Sequence, residues 1–132
     1  MDNKTYYSSI AELKVMADLT AKHYHIFNQV SGKAPFDLVA YRDGELRRVS
    51  VKSCNKDPRK DGGFVIEVGR VRANKTENKI YKFDQSECDL LAIYIVKEDR
   101  IVYVESTVAH DKRQIIIQGR SQLTEVHDLE NH

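Results

Sequence analysis

Phe36-Asp37-Leu38-Val39-Ala40-Tyr41-Arg42-Asp43-Gly44-Glu45-Leu46-Arg47-Arg48-Val49-Ser50-Val51-Lys52-Ser53 decides the fold. Asp43-Gly44 is a tight-turn signal, because both central residues of a two-residue hairpin turn need positive φ and these two residue types tolerate it. The flanking segments, residues 36–41 and 46–53, predict two antiparallel strands. A two-residue turn pairs Arg42 with Glu45. Continued down the ribbon, that register sets Asp37 opposite Ser50, with Lys52 one diagonal step away on the same face. Val49 and Val51 then point the other way, into the core. A one-residue slip would break this alignment.

Working outward, Ser9 and Glu12 have the spacing of a capping box, which predicts a helix opening at residues 8–9. Ile10, Leu13, Val15, Met16, Leu19 and Thr20 follow at helical spacing, and the helix is expected to end near His23. Residues 24–30 predict a short strand and residues 31–35 a loop. Downstream, residues 55–63 are polar and hold Pro58, Gly62 and Gly63, so they read as a loop. Residues 64–70 predict a third strand of an antiparallel meander, and residues 72–78 a second polar loop. Residues 84–89 predict a turn or short helix. Residues 90–96 form a continuous apolar run, the mark of a central strand buried on both faces. Residues 101–104 and 115–117 predict further strands. From about residue 119 the chain is polar and is expected to be loosely held. The order predicts one α/β domain over residues 1–132, α+β-like, with a mixed central sheet and the N-terminal helix packed on it.

The chain has 132 residues and a formal net charge of +1, so its overall balance does not mark a nucleic-acid binder. The local distribution does more. From Lys52 to Lys82 there are nine Lys and Arg against four acids. A basic stretch on a nearly neutral chain suits one face meeting phosphates, and it also suits solvated loops. No apolar run is long enough to span a bilayer. The polar start gives no sign of a secretory signal, so cytoplasmic residence is the expectation. Cys54 and Cys88 lack the spacing of a zinc site and read as free thiols. His23 and His25 form an HxH pair without a second metal-ligand pair nearby.

The hairpin carries the chemistry. A carboxylate beside a lysine on a sheet face suits phosphodiester hydrolysis. The carboxylate holds a divalent ion, and the ion polarises the phosphate and lowers the pKa of bound water. The lysine stabilises the developing negative charge. Asp37 and Lys52 equally read as a surface ion pair, which is an ordinary feature.

The ordered pattern goes further. Pro35-Phe36-Asp37-Leu38-Val39, followed by Val49-Ser50-Val51-Lys52, resembles the signature of the PD-(D/E)XK nuclease superfamily. There an aspartate begins one strand and an acid-x-lysine triplet lies on the next. With Ala11-Glu12-Leu13 and Ala17-Asp18-Leu19 upstream and Asp43-Gly44 between, the chain is similar to the group I intron-encoded homing endonucleases of that superfamily over residues 6–105. One place departs from the pattern. The triplet begins with Ser50, which carries no charge, and Glu67 on the following strand is a candidate for a displaced carboxylate.

The resemblance implies a restriction-endonuclease-type core and a site-specific, Mg²⁺-dependent double-strand DNA endonuclease of the intron-homing type, with Mn²⁺ as an alternative ion. It implies Asp37 as the main metal ligand, Glu12 as a helix glutamate near the metal, the Val51 carbonyl as a further oxygen donor, Ser50 as an auxiliary polar group and Lys52 as the charge-stabilising residue. Glu12 also reads as the cap of its own helix. Lys56, Arg59, Lys60, Arg70, Arg72 and Lys75 are candidates for gripping DNA phosphates or reading base edges. Cutting both strands requires two centres, so a homodimer or homotetramer is implied. Two other readings stay open. One is a Holliday-junction resolvase of the same superfamily. The other is a DNA-binding module that kept the fold and lost the chemistry.

Overall fold

Both residues of the Asp43-Gly44 turn have positive φ, 52° and 81°, as a two-residue hairpin turn of this hand requires. The turn joins β2 (Leu38–Arg42) to β3 (Glu45–Cys54) in a computed structural model that describes residues 3–73 and 78–118. The expected register holds from Arg42↔Glu45 to Leu38↔Val49. On its other edge β2 pairs antiparallel with β1 (His25–Asn28).

β3 is the centre of a five-stranded sheet. Its second edge pairs in parallel with β7 (Leu90–Ile95), from Val49↔Leu90 to Cys54↔Ile95. β7 in turn pairs antiparallel with β8 (Arg100–Glu105), giving the order β1-β2-β3-β7-β8. The sheet is therefore mixed, as expected. All six residues of β7 are buried, which is why that segment is apolar without alternation.

The two faces of the sheet are covered differently. On one, α1 (Asn3–Ala21) packs Ala11, Val15 and Leu19 over Leu38, Ala40, Val49, Leu90, Ala92 and Tyr103. On the other, Leu91, Ile93 and Ile95 are covered by β4 (Phe64–Glu67) and β9 (Gln114–Ile117), which form a two-stranded sheet of their own. Between them run β5 (Arg70–Ala73), which pairs with β6 (Asn78–Tyr81), and a 3-10 turn at Gln85–Glu87; α2 (Ser106–Ala109) follows β8.

Five expectations are corrected. The helix starts at Asn3, so Ser9 and Glu12 lie inside it and form no capping box. Its buried face is Ala11, Val15 and Leu19; Ile10 and Leu13 point outward, 38% and 65% exposed. The third meander strand does not join β3 but leaves the main sheet to pair with β9. That strand also breaks at Gly69, where a Cβ would lie 2.6 Å from the Tyr81 carbonyl oxygen. The chain turns there, with the N–H groups of Val68 and Gly69 both donating to the Arg113 carbonyl. Part of the expected loop 72–78 is thereby the β5–β6 ribbon. The expected tail from residue 119 lies outside the described residues, and no helix among the described residues is long and apolar enough to cross a membrane.

Leu91 is fully buried at the centre of the covered face, whereas Leu46 is 65% exposed on the uncovered part of the same face. Leu91→Ala should cost about 2–5 kcal/mol through lost burial and a cavity. Leu46→Ala should stay within roughly 0.5 kcal/mol. Urea unfolding of both variants checks the assignment of the two regions.

Candidate active site

Alternation along β3 sends Val49 and Val51 toward α1 and sends Ser50, Lys52 and Cys54 toward the β4–β9 side. β2 stops at Leu38, halfway along β3. At that point the register changes. Continued pairing would set Asp37 opposite Ser50, but the Asp37 N–H donates to the Val49 carbonyl at 2.9 Å, one residue short. The N–H of Val51, which continued pairing would direct to the Phe36 carbonyl, donates instead to the Asp37 carboxylate (Oδ2, 2.6 Å).

The Phe36 carbonyl is occupied elsewhere: it accepts the side-chain amide of Gln29 at 2.9 Å. The same Gln29 accepts the Ala34 N–H through Oε1 at 2.8 Å. Gln29 thus holds the 34–36 loop away from the ladder, and the Asp37 side chain takes the vacated place. Asp37 lies at the sheet edge between the two faces, not on the Lys52 face opposite Ser50. This corrects the register-based expectation. Sequence patterning does not single out Gln29, because its role depends on a loop contact that no periodicity encodes.

Glu12 reaches this edge from α1, where it is partly buried. Burial raises its carboxyl above the usual range, and the charge of Asp37 and a hydrogen bond to it raise it further. Lys52 approaches from the opposite face. Burial lowers its ammonium; the Asp37 carboxylate opposes that shift and the Arg70 guanidinium adds to it. The structure therefore gathers Glu12, Asp37 and Lys52 around the end of β2, with Arg70 close by.

Ser50 is not part of that cluster. It is buried, its hydroxyl donates to the Pro35 carbonyl at 3.4 Å, and it lies against the Cys88 thiol, which burial pushes up. Glu67 is exposed and accepts from the side-chain amide of Gln114 at 2.7 Å, with Lys56 at 3.9 Å. Arg59 is engaged with Asp61, which also accepts the Gly63 N–H at 2.9 Å, so this pair braces its own loop. Arg70 pairs with Glu87. Lys60 is exposed, Arg72 lies on β5, and Lys75 falls outside the described residues.

The donor set suits a hard cation. Among the described residues, no three His, Cys, Asp or Glu side chains form a metal-binding group. Two carboxylates do meet, and their mutual repulsion is what a cation relieves. One or two carboxylates, completed by water and substrate phosphate, is the usual protein contribution to a Mg²⁺ site. The Val51 carbonyl points to the same edge as its N–H, since both groups of a strand residue face one neighbour.

Comparison with known proteins gives the family and the fold. The family model described as PD-(D/E)XK endonuclease matches residues 1–125. Among solved structures, the chain is similar to the bacterial homing endonuclease I-Ssp6803I. The TM-score is 0.80 at 17% identity, covering 94% of this chain and 84% of that one. No curated protein matches the sequence.

The raised Glu12 carboxyl makes a prediction for the metal-free protein. A carboxyl that titrates higher folded than unfolded gives stability that is fully present below the unfolded value and is lost as pH rises through the folded one. Glu12→Gln remains neutral throughout. In EDTA it should melt above the wild type at about pH 7, and the two should converge near pH 4. Melting curves at the two pH values test this, and a variant that melts lower at the higher pH contradicts the crowding of the two carboxylates.

Proposed function

The chain belongs to the PD-(D/E)XK endonuclease family, and on that premise we propose that it is a site-specific, Mg²⁺-dependent endonuclease that cuts double-stranded DNA as a homodimer or homotetramer. Members of this family generally use divalent metals. The observation that carries the reading is the meeting of Glu12, Asp37 and Lys52 where β2 ends. The likeness to a protein described as a bacterial homing endonuclease supports a homing type of activity.

Asp37 and Glu12 would hold the ion, with the Val51 carbonyl as a third oxygen donor. Bound there, a divalent cation would supply Lewis-acid chemistry, polarising the scissile phosphate and lowering the pKa of a bound water. Asp37 is fixed for this by the Val51 N–H, so it needs little reorganisation when substrate arrives. Lys52, partly withdrawn from water, would pair with charge that develops on the phosphate. Arg70, which acts on Lys52 electrostatically and pairs with Glu87, would reach a flanking phosphate by exchanging that partner for it. Lys56 and Lys60, exposed on the 55–63 loop, would extend the basic surface toward the duplex, and Arg59, Arg72 and Lys75 are further candidates from the sequence alone.

Ser50 plays a packing part in this scheme, and its burial favours one second reading: a DNA-binding protein of the same fold with weak cleavage.

With Mg²⁺ and a plasmid carrying the target, Asp37→Asn and Lys52→Ala should each lower cleavage by roughly 100-fold or more while leaving metal-free DNA binding near normal. Ser50→Ala should lose only part of the activity, and Glu12→Gln should lose more. Near-normal cutting by Asp37→Asn removes the central assignment. A wild type that binds DNA but does not nick it establishes the second reading.

Metal-free binding should weaken steeply with salt, because each phosphate contact releases counterions. Replacing Lys56 and Lys60 together with Gln should reduce the slope of log affinity against log salt by about 2. An unchanged slope means that the 55–63 loop does not touch DNA.

A further inference from the structure

The outward face of α1 is uncharged along its length and apolar from Tyr6 to Ala17. Tyr6, Ile10, Leu13, Ala17 and Thr20 are all exposed, at 53%, 38% and 65% for the three large side chains. These residues lie on the side of the helix opposite Ala11, Val15 and Leu19, which face the sheet. Nothing within the described chain covers them. Their spacing is four, three, four and three, which is the a/d repeat of a helix that packs along a seam against another helix. A purely solvated helix face has no reason to keep that spacing, and a single exposed apolar residue would need no explanation.

We propose that this seam is the contact between two copies of the chain, made helix to helix across a two-fold axis. The inference rests on the endonuclease reading, which needs two catalytic centres for one duplex, and it names the surface that brings them together. A two-fold interface must be self-complementary. The seam is: none of its five residues is charged, so two copies meet without like-charge repulsion. An acidic partner or a nucleic acid would find no cation along it to pair with. Small residues at Ala17 and Thr20 let the two helices approach closely, while Tyr6, Ile10 and Leu13 supply the apolar area.

Size sets the strength. A 19-residue helix is about 28 Å long and 10–12 Å wide, so its outward face projects onto roughly 300 Å². A stable dimer buries about 800 Å² on each partner. The seam is thus the core of a weak, concentration-dependent dimer that binding to one duplex reinforces. Glu12 neighbours Leu13 on the same helix, so the seam ties the spacing of the two sites directly to the helix that carries one carboxylate of each.

Leu13 stands in the middle of the seam and meets its own copy whether the helices run parallel or antiparallel. Leu13→Cys should therefore form a covalent dimer under mild oxidation in the full-length protein. The two native cysteines are buried and give little background. Phe27→Cys, similarly exposed on the opposite face of the sheet, should not. In sedimentation equilibrium, Leu13→Glu should raise the dimer dissociation constant at least tenfold. Far-UV circular dichroism checks that this variant keeps its fold. Crosslinking of the Phe27→Cys variant but not of Leu13→Cys, or a wild-type dissociation constant in Leu13→Glu, overturns the seam. Because both readouts are made without DNA or metal, they stand whether or not the chain cleaves. A wild type that dimerises, yet is indifferent to Leu13, rejects this surface while leaving the endonuclease reading intact.

Discussion

The pairing of β3 with β7 is the constraint on which the remaining structure depends. It is clamped at its start by Arg48 and Asp89. The Asp89 carboxylate accepts the Arg48 N–H at 2.8 Å and its guanidinium at 3.0 and 3.2 Å, and the Asp89 N–H returns a bond to the Arg48 carbonyl at 2.9 Å. The guanidinium holds the Asp89 carboxyl below its usual range, so the clamp is ionised at neutral pH. A charge-assisted, bidentate pair of this kind fixes geometry more firmly than a neutral bond. With Val49 set against Leu90, each β3 side chain is assigned its face. A slip of one residue would put Lys52 under α1 and expose Val49 and Val51 to the other side.

That constraint explains why the centre of the fold is legible in the sequence and its edges are not. The turn, the β2–β3 register, the buried run at β7 and the direction of Val49 follow from local chemistry and period-two alternation. The course of β4 does not. Phe64, Ile66 and Val68 alternate as an ordinary sheet strand does, and alternation specifies a buried face without naming a partner. The partner, β9, lies nearly fifty residues on, at Gln114–Ile117. The break at Gly69 is set by a close approach of the Tyr81 carbonyl, again a distant residue. In α1, apolar residues occupy two opposite faces, so periodicity alone merges them into one broad stripe; only the sheet shows that Ala11, Val15 and Leu19 are the buried ones.

The site shows the same division. Asp37 and Lys52 are legible because both belong to one hairpin. Their final relation is not the one that regular pairing gives. It comes from Gln29, which draws the Phe36 carbonyl out of the ladder and leaves the Val51 N–H to the Asp37 carboxylate. Ser50, regular in its strand position, is turned by that same alternation toward Pro35 and Cys88. An acid at position 50 would face this buried pocket, so the uncharged residue there is compatible with the packing.

The charges gathered at the end of β2 work against folding. Burial raises the Glu12 carboxyl, Asp37 raises it further, and burial lowers the Lys52 ammonium even though a carboxylate stands nearby. Each shift means that the folded state disfavours the charged form. A packed core of similar shape would hold apolar residues at those places at less cost. Perturbed titrations of this kind concentrate where a protein keeps charge for a ligand, not for its own stability. Here the two signs are separated by the sheet: carboxylates gather on the α1 side and at the edge, while the lysine stands on the other face. A cation and a phosphate arriving together at the edge would satisfy both, the cation relieving the carboxylates and the phosphate pairing with Lys52. The local irregularity at Asp37 is what opens that edge, because an extended β2 would cover it with backbone. Where regular sheet geometry fails in this chain is thus also where its unfavourable charges would find a use on the proposed reading.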